Sequence, residues 1–178
     1  QEEGQQMTRV PKIFHQIWLG WDTPSPPKSA LECKQTWVDH HPDWEFRLWS
    51  ADECRVLIAN HYPWFLDKYD SYSLPIQKAD AIRYFILHHV GGVYIDHDYV
   101  CVKNISPSLQ GSGCFIPLEP AKNSIHFWQN RWDLAPIEQA GDMYQALMSN
   151  AMMASEPRCP FWETVQKKML QTPNVITG

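Results

Sequence analysis

The 178-residue chain has no run of eighteen apolar residues. Its most apolar window carries Arg83, His88 and His89, which excludes a transmembrane helix within it. No segment concentrates basic residues. Fifteen Lys and Arg stand against twenty Asp and Glu, the formal net charge is −5 and the pI about 5.9, so a nucleic-acid grip has no electrostatic footprint. The five cysteines (33, 54, 101, 114 and 159) include no Cys-x-x-Cys pair, and spacing therefore offers no structural zinc site. Their odd count leaves at least one thiol over and does not decide the redox compartment. Internal repeats and low-complexity tracts are absent as well. The chain opens on Gln1 rather than Met, as expected of a trimmed or processed product, so a missing leader or anchor says nothing about a parent protein. The single sequon, Asn104-Ile105-Ser106, is followed by Pro107 and is weak support for a secretory route.

What is present is a globular mixture, with 44% hydrophobic and 20% charged residues, which argues against wholesale disorder. The length predicts one domain with a real core, over residues 10–178, behind a loose polar tail at 1–9. Nine tryptophans and fourteen prolines stand out. Tryptophan fills cores expensively and stacks well on bases and sugar faces. Most of the nine are expected in structural, buried or half-buried positions, Trp37, Trp64 and Trp162 in the core.

Ile13 to Leu19 alternates like a strand, with Phe14, Gln16 and Trp18 on one face, and stops at Gly20. A proline-rich loop leads to a helix through Leu31, Lys34 and Trp37. Trp44 to Trp49 reads as a second strand. Ser50-Ala51-Asp52-Glu53 is a capping box opening a helix with Cys54, Leu57 and Ile58. Pro75 to Val90 is the clearest element. Apolar residues recur at 76, 79, 82, 86 and 90, Pro75 suits the first turn, and Gly91-Gly92 suits the stop. Val93-Tyr94-Ile95 then reads as a short buried strand ending in Asp96-His97-Asp98. Further on, Phe115 to Leu118 is expected as a strand, Gly141 to Met153 as a helix and Phe161 to Leu170 as a helix. The strand–helix alternation predicts an α/β sandwich.

On an extended backbone the carboxylates of Asp96 and Asp98 face the same way and His97 points away. Hard oxygens at the open end of a strand suit Mg²⁺ or Mn²⁺, which retain waters and accept substrate phosphates. A solvated loop reads equally from the triplet alone. Asp80 and Arg83, at i and i+3, share one face of a largely apolar helix. They are either a surface ion pair or a site, with Arg83 bridging phosphate or sugar oxygens and Asp80 accepting hydroxyl hydrogen bonds. Trp18 ends the first strand, where ligands sit in open α/β sheets. It can stack on a nucleobase or pack in the core. His40-His41 and His88-His89 point about 100° apart on a helix and are expected to be structural rather than chelating. Trp128 and Trp132, at i and i+4, either pack or line an acceptor groove.

The run Ile76 to Leu87, continued by Val90-Gly91-Gly92-Val93-Tyr94-Ile95-Asp96-His97-Asp98, resembles the sugar-binding region of glycosyltransferases that carry an Asp-x-Asp motif. Within that group the chain is most similar to the fungal mannosyltransferases that include the inositol-phosphoceramide enzymes (glycosyltransferase family 32). His15-Gln16-Ile17-Trp18 resembles the family's opening strand, and Tyr62 to Asp67 with Tyr69-Asp70 its middle segment. Asn150 to Ser155 and Pro160-Phe161-Trp162 resemble a later block. The large clostridial glucosylating toxins have a similar core. The resemblance implies a GT-A fold, a mainly parallel sheet flanked by helices, and transfer of a hexose, mannose favoured, with retention of configuration. By the same resemblance the donor is a nucleotide sugar, GDP-mannose favoured and a UDP-hexose next, and the acceptor a glycan, lipid or protein hydroxyl. Trp18 would stack on the base, Asp80 and Arg83 would hold sugar and phosphates, and Tyr94 would line the donor pocket. Asp96 and Asp98 would handle metal and diphosphate, Asp98 as the direct ligand, and Asn150 would sit near the reacting sugar. A Golgi or endoplasmic-reticulum membrane association follows if the source is eukaryotic. Relatives commonly carry His before Pro-Phe-Trp where this chain has Cys159, and they continue beyond Gly178.

Two other classes stay open on the residues. One is a nucleotide-sugar-binding domain without turnover. The other is a Mg²⁺ phosphohydrolase of the haloacid dehalogenase type, although that motif usually opens its domain rather than following a helix with Asp80 and Arg83.

Overall fold

A computed structural model describes residues 9–20, 23–118 and 148–174. Among them a five-stranded sheet forms from β1 (Ile13–Ile17), β2 (Glu45–Trp49), β3 (Gly92–Ile95), β4 (Cys114–Phe115) and β5 (Met152–Ser155), in the order β2-β1-β3-β5-β4. The helices are α1 (Lys28–His40), α2 (Ala51–His61), α3 (Leu66–Asp70), α4 (Pro75–Val90) and α5 (Pro160–Gln171). β1 pairs in parallel with β2 on one side and with β3 on the other. β5 runs antiparallel to both β3 and β4, so four of the five strands share a direction and the sheet is mixed.

The elements follow from local chemistry. Ser50 caps α2 with its hydroxyl while Glu53 returns a carboxylate to the Ser50 amide, so two end groups of the helix are satisfied at once. Pro75 opens α4 where no amide is required. Gly91 ends it at φ 71° and Gly92 follows at φ 94°. Both positions exclude a side chain on space as well. A Cβ on Gly92 would lie 2.6 Å from the Ile13 carbonyl oxygen, and one on Gly91 would lie 2.7 Å from the Pro157 nitrogen. The glycine pair therefore lets α4 reverse directly into β3 against β1.

Both faces of the sheet are covered. Ile17, Ile58, Phe65, Ile82, Phe85 and Trp162 belong to the core under α2, α4 and α5. Phe14, Trp37, Val93, Ile95 and Ala154 form the core on the other face. His15 lies fully buried in β1 between these layers. Its Nδ1 accepts from the Trp49 indole at 3.1 Å, so Nε2 carries the proton and donates to the Gly91 carbonyl at 2.8 Å. Burial holds its pKa down at about 4, and the ring is neutral.

Several expectations are corrected. The first strand ends at Ile17, not Leu19, and β4 has only two residues, with Leu118 in an isolated bridge to Met148. No helix covers residues 148–153. Met152 and Met153 belong to β5, because the open side of β3 supplies a full antiparallel ladder that outweighs the helix propensity of Met and Ala. Residues 141–147, Trp128 and Trp132 lie outside the described residues. Trp37 and Trp162 are buried as expected, but Trp64 is 47% exposed. It sits on a 3-10 turn (Pro63–Phe65) and contacts Tyr62, Phe65 and Phe85 from the surface. His41 caps the end of α1. It bonds the Trp37 carbonyl through Nδ1 and accepts the Ile105 amide at Nε2, a structural role.

Candidate functional site

The chain leaves β1 toward β2 and returns through α2, α3 and α4 to β3 on the other side of β1. That reversal makes the carboxyl ends of β1 and β3 a topological switch point, the usual ligand position in such sheets. Trp18 follows β1 there and Asp96 follows β3.

Arg83 is the hub of the site. Its side chain is 4% exposed although it carries a permanent charge. Nη2 donates to Asp80 Oδ1 at 2.6 Å and Nη1 to the Asn150 carbonyl oxygen at 2.8 Å. Nη1 also lies 3.5 Å from Asp96 Oδ1, Nε donates to the Ala79 carbonyl, and the guanidinium stands 4.5 Å over the Tyr94 ring. The planar fork explains the choice of arginine, since separate nitrogens reach Asp80 on one side and Asn150 and Asp96 on the other, which a single ammonium nitrogen cannot span. The amphipathic turn of α4 brings Asp80 alongside Arg83. β3 delivers Asp96 from the next element, and residues 150–151 arrive just before β5. The Ala151 carbonyl accepts the Asp96 amide at 2.8 Å.

Tyr94 donates its hydroxyl to Asp96 Oδ1 at 2.6 Å. Burial pushes the Tyr94 hydroxyl well above its ordinary pKa, so it remains a donor. Burial also raises the carboxyl of Asp96, opposed by Arg83 and the Tyr94 hydrogen bond and reinforced by the charges of Asp98 and Asp80. Asp80 is raised by burial against the pull of Arg83.

The backbone does not stay extended through Asp96-His97-Asp98. It turns, and the Tyr99 amide bonds back to the Asp96 carbonyl at 3.3 Å. The two carboxylates are thus set by a turn and not by strand alternation. Asp98 is exposed at its tip. His97 points the other way, as expected, and its Nε2 bonds the Ile17 carbonyl at 2.8 Å. Its ring meets Trp18 edge-on at 5.3 Å, so the motif's central residue ties the turn to the end of β1. Trp18 is half-buried and donates its indole N–H to the Thr23 carbonyl.

The structure therefore gathers Asp80, Arg83, Tyr94, Asp96 and Asn150 into one contact network. Asp98 is beside it, and Trp18 reaches it through His97. Asn150 enters by its backbone carbonyl and also hydrogen-bonds the Tyr84 side chain. Sequence reasoning missed Tyr84, although its i+4 spacing from Asp80 was available. It also missed Gln16, whose side chain donates to the Asp96 carbonyl at 3.4 Å. Asp80, Tyr84 and Asn150 share a cavity of about 560 Å³ with Val165, Lys168 and Met169 of α5. No local signal linked α5 to that wall.

Among the described residues no group of three or more His, Cys, Asp and Glu side chains forms a metal cluster. Two carboxylates on a turn nevertheless suit an ion that keeps several waters and takes its remaining ligands from a substrate phosphate. The donor set is all hard oxygen and fits Mg²⁺ or Mn²⁺ rather than zinc.

Comparison with known proteins agrees with this layout. The family model described as "Glycosyltransferase sugar-binding region containing DXD motif" matches residues 27–116. An inositol phosphoceramide mannosyltransferase of Schizosaccharomyces pombe is 35% identical over 156 residues, covering 88% of this chain and 37% of that protein. A mannosyl phosphorylinositol ceramide synthase of Saccharomyces cerevisiae is 36% identical over 160 residues, covering 90% and 35%. The chain thus spans about a third of the length of these curated relatives. The solved structure titled "PaToxG Glycosyltransferase" superposes with a TM-score of 0.59 at 14% identity, covering 91% of this chain and 61% of that one, and shows a shared glycosyltransferase fold. The chain belongs to the glycosyltransferase family whose sugar-binding region contains the Asp-x-Asp motif.

Proposed function

We propose that residues 10–178 form one donor-binding domain of a metal-dependent, retaining hexosyltransferase. It moves a hexose, mannose favoured, from a nucleoside diphosphate to a hydroxyl of a glycan, lipid or protein. The observation that carries this reading is the buried Arg83, joined to Asp80, Asp96 and Asn150 at the switch point between β1 and β3. Mannose is favoured because the relatives above carry mannosyl transfer in their names.

Asp98 and Asp96 would hold a Mn²⁺ or Mg²⁺ ion. A bound divalent cation supplies positive charge against the diphosphate leaving group. The chain's own residues do the rest. Arg83 has no room to leave its pocket, and its fixed positive charge faces the carboxylates and whatever anion enters, stabilising the diphosphate as charge builds on it. Asp80, half-exposed beside it, accepts hydrogen bonds from sugar hydroxyls. Tyr94 keeps its proton and fixes the Asp96 carboxylate in one orientation. Trp18 offers its ring to the base, and the Asn150 side chain lies next to the reacting sugar. The cavity beside Asp80 has the aromatic wall of Tyr84, a surface on which a sugar face packs. For retention of configuration the acceptor hydroxyl attacks from the side the leaving group vacates.

A thermal-shift panel tests this. GDP-mannose, UDP-galactose, UDP-glucose and UDP-GlcNAc are added with and without Mn²⁺. A ligand at a hundred times its Kd stabilises by about 2.7 kcal/mol, a rise of roughly 5–10 °C for a chain of this size. The expected result is a Mn²⁺-dependent rise with one donor, GDP-mannose first, that Asp98→Ala and Trp18→Ala abolish without unfolding the protein. A rise that persists in Asp98→Ala would remove the metal role. No rise with any donor would remove the donor site itself.

A further inference from the structure

The five cysteines are free thiols in the structure. Cys54 is sealed in the core and the Cys101 thiol is bonded to the Lys103 carbonyl, while Cys33 stands on α1. Cys114 and Cys159 differ, because the sheet brings them together. Cys114 opposes Ser155 in the β4–β5 ladder. The Gly113 carbonyl accepts from the Glu156 amide at 3.1 Å, and the Gly113 amide donates to the Glu156 carboxylate at 3.1 Å. The chain then makes a tight return at Arg158, whose φ is 61° and whose amide bonds the His88 carbonyl. That return sets Cys159 as the N-cap of α5. Both side chains face the same core layer, Cys159 within it and Cys114 against it, and Cys159 is near enough to act on the Cys114 thiol. Cys114 is half-exposed and open to a reagent, whereas Cys159 is buried behind it.

We propose that Cys114 and Cys159 are a disulfide-forming pair that fastens edge strand β4 to the N-terminus of α5. The oxidant is a disulfide-bearing molecule, small or protein. The Cys114 thiolate attacks one of its sulfurs, giving a mixed disulfide and releasing the first thiol. Cys159 gives up its proton and attacks the Cys114 sulfur. The mixed disulfide breaks and the second thiol leaves, so two cysteines are oxidised and one disulfide is reduced. The bond closes the chain from residue 114 to residue 159, a loop that contains Asn150 and β5 and therefore one wall of the candidate site.

Burial, with the neighbouring Cys159, pushes the Cys114 thiol up to about 11. Little thiolate exists at neutral pH, so closure is slow there. The same property makes Cys114 a poor leaving group, and the bond once formed resists reduction.

The test incubates the whole chain with oxidised glutathione, blocks remaining thiols, and maps tryptic peptides without reduction. Residues 104–122 and 159–167 each hold one cysteine and should be recovered as a single cross-linked species. Its rate of formation should rise about tenfold per pH unit between 7 and 9, as the thiolate fraction does. The linked protein should melt several degrees above the reduced one, and Cys159→Ser should show no such difference, while Cys33→Ser should retain it. Recovery of the two peptides apart, alkylated or carrying glutathione, overturns the pairing. So does a cross-link from either residue to Cys33, Cys54 or Cys101.

Discussion

Replacing Arg83 by Met keeps the apolar stem and removes the charge that Asp80, Asp96 and the Asn150 and Ala79 carbonyls share. At 3.5 Å from Asp96 the Coulomb attraction is about 5 kcal/mol at an effective dielectric of 20 and about 1 kcal/mol in water. Asp96 is 32% exposed and Asp80 51% exposed, so solvent screening places the first pair near 1–2 kcal/mol and the second below about 1 kcal/mol. The Asn150 carbonyl also loses its donor, at about 1 kcal/mol. Arg83→Met should therefore destabilise by about 2–3 kcal/mol, lowering Tm by roughly 5–10 °C. Arg83→Lys should recover less than half, because an ammonium cannot reproduce the fork. The assay is urea unfolding followed by tryptophan fluorescence on Arg83→Met, Asp96→Asn and the double variant. The cycle should leave a coupling of about 1–2 kcal/mol, since Asp96 is the partner whose isolation costs most. A cycle that closes within about 0.5 kcal/mol, or an Arg83→Met protein as stable as the parent, would refute the hub, because independent sites add to within that margin.

The remaining predictions concern the scaffold under the site. His15 has a folded pKa of about 4, below its ordinary 6.5, so the unfolded chain takes up the proton first. Its contribution is full above pH 6.5 and is lost as pH falls toward 4, about 3 kcal/mol in all. Urea unfolding between pH 4 and 7.5 should show that slope, and His15→Gln should flatten it; an unchanged slope in His15→Gln would assign the acid sensitivity to other groups. Gly92→Ala combines a φ of 94° with a contact at 2.6 Å to the Ile13 oxygen and should cost about 3 kcal/mol or more, read as a fall in Tm. A loss under about 1 kcal/mol would mean that β1 and β3 are not held as closely as described.

Local periodicity located α4 almost to the residue, because its apolar repeat, its opening proline and its closing glycines agree. The same is true of the Ser50–Glu53 box, where cap and carboxylate lie three residues apart. Asp80 and Arg83 could be paired from spacing, Asp96 and Asp98 from their triplet and Trp18 from the end of its strand, and the family pattern added Tyr94 and Asn150. The information that was missing is long-range. Residues 152–155 are rich in Met and Ala, and the first two fall at the end of the helix expected from Gly141 to Met153. They are a strand because β3 has an unpaired side, a fact that no window around residue 152 contains. Asn150 was chosen for its side chain, yet its carbonyl is what Arg83 grips, 67 residues away in sequence.

The Asp-x-Asp triplet shows the same division more sharply. Treated as a strand it predicts two carboxylates on one side by alternation, whereas the backbone closes a turn through the Tyr99 amide. The difference matters for mechanism. A strand would hold both carboxylates equally, whereas the turn anchors Asp96 to Tyr94 and Arg83 and leaves Asp98 exposed at the tip. An anchored carboxylate with a raised proton affinity beside an exposed one makes a graded pair. In the proposed role, Asp98 would meet a hydrated ion first, and Asp96, held in place by Tyr94 and Arg83, would complete the pair. The buried Arg83 then has a second task. Its charge opposes the burial that raises the Asp96 carboxyl and so favours the ionised form that a cation would need.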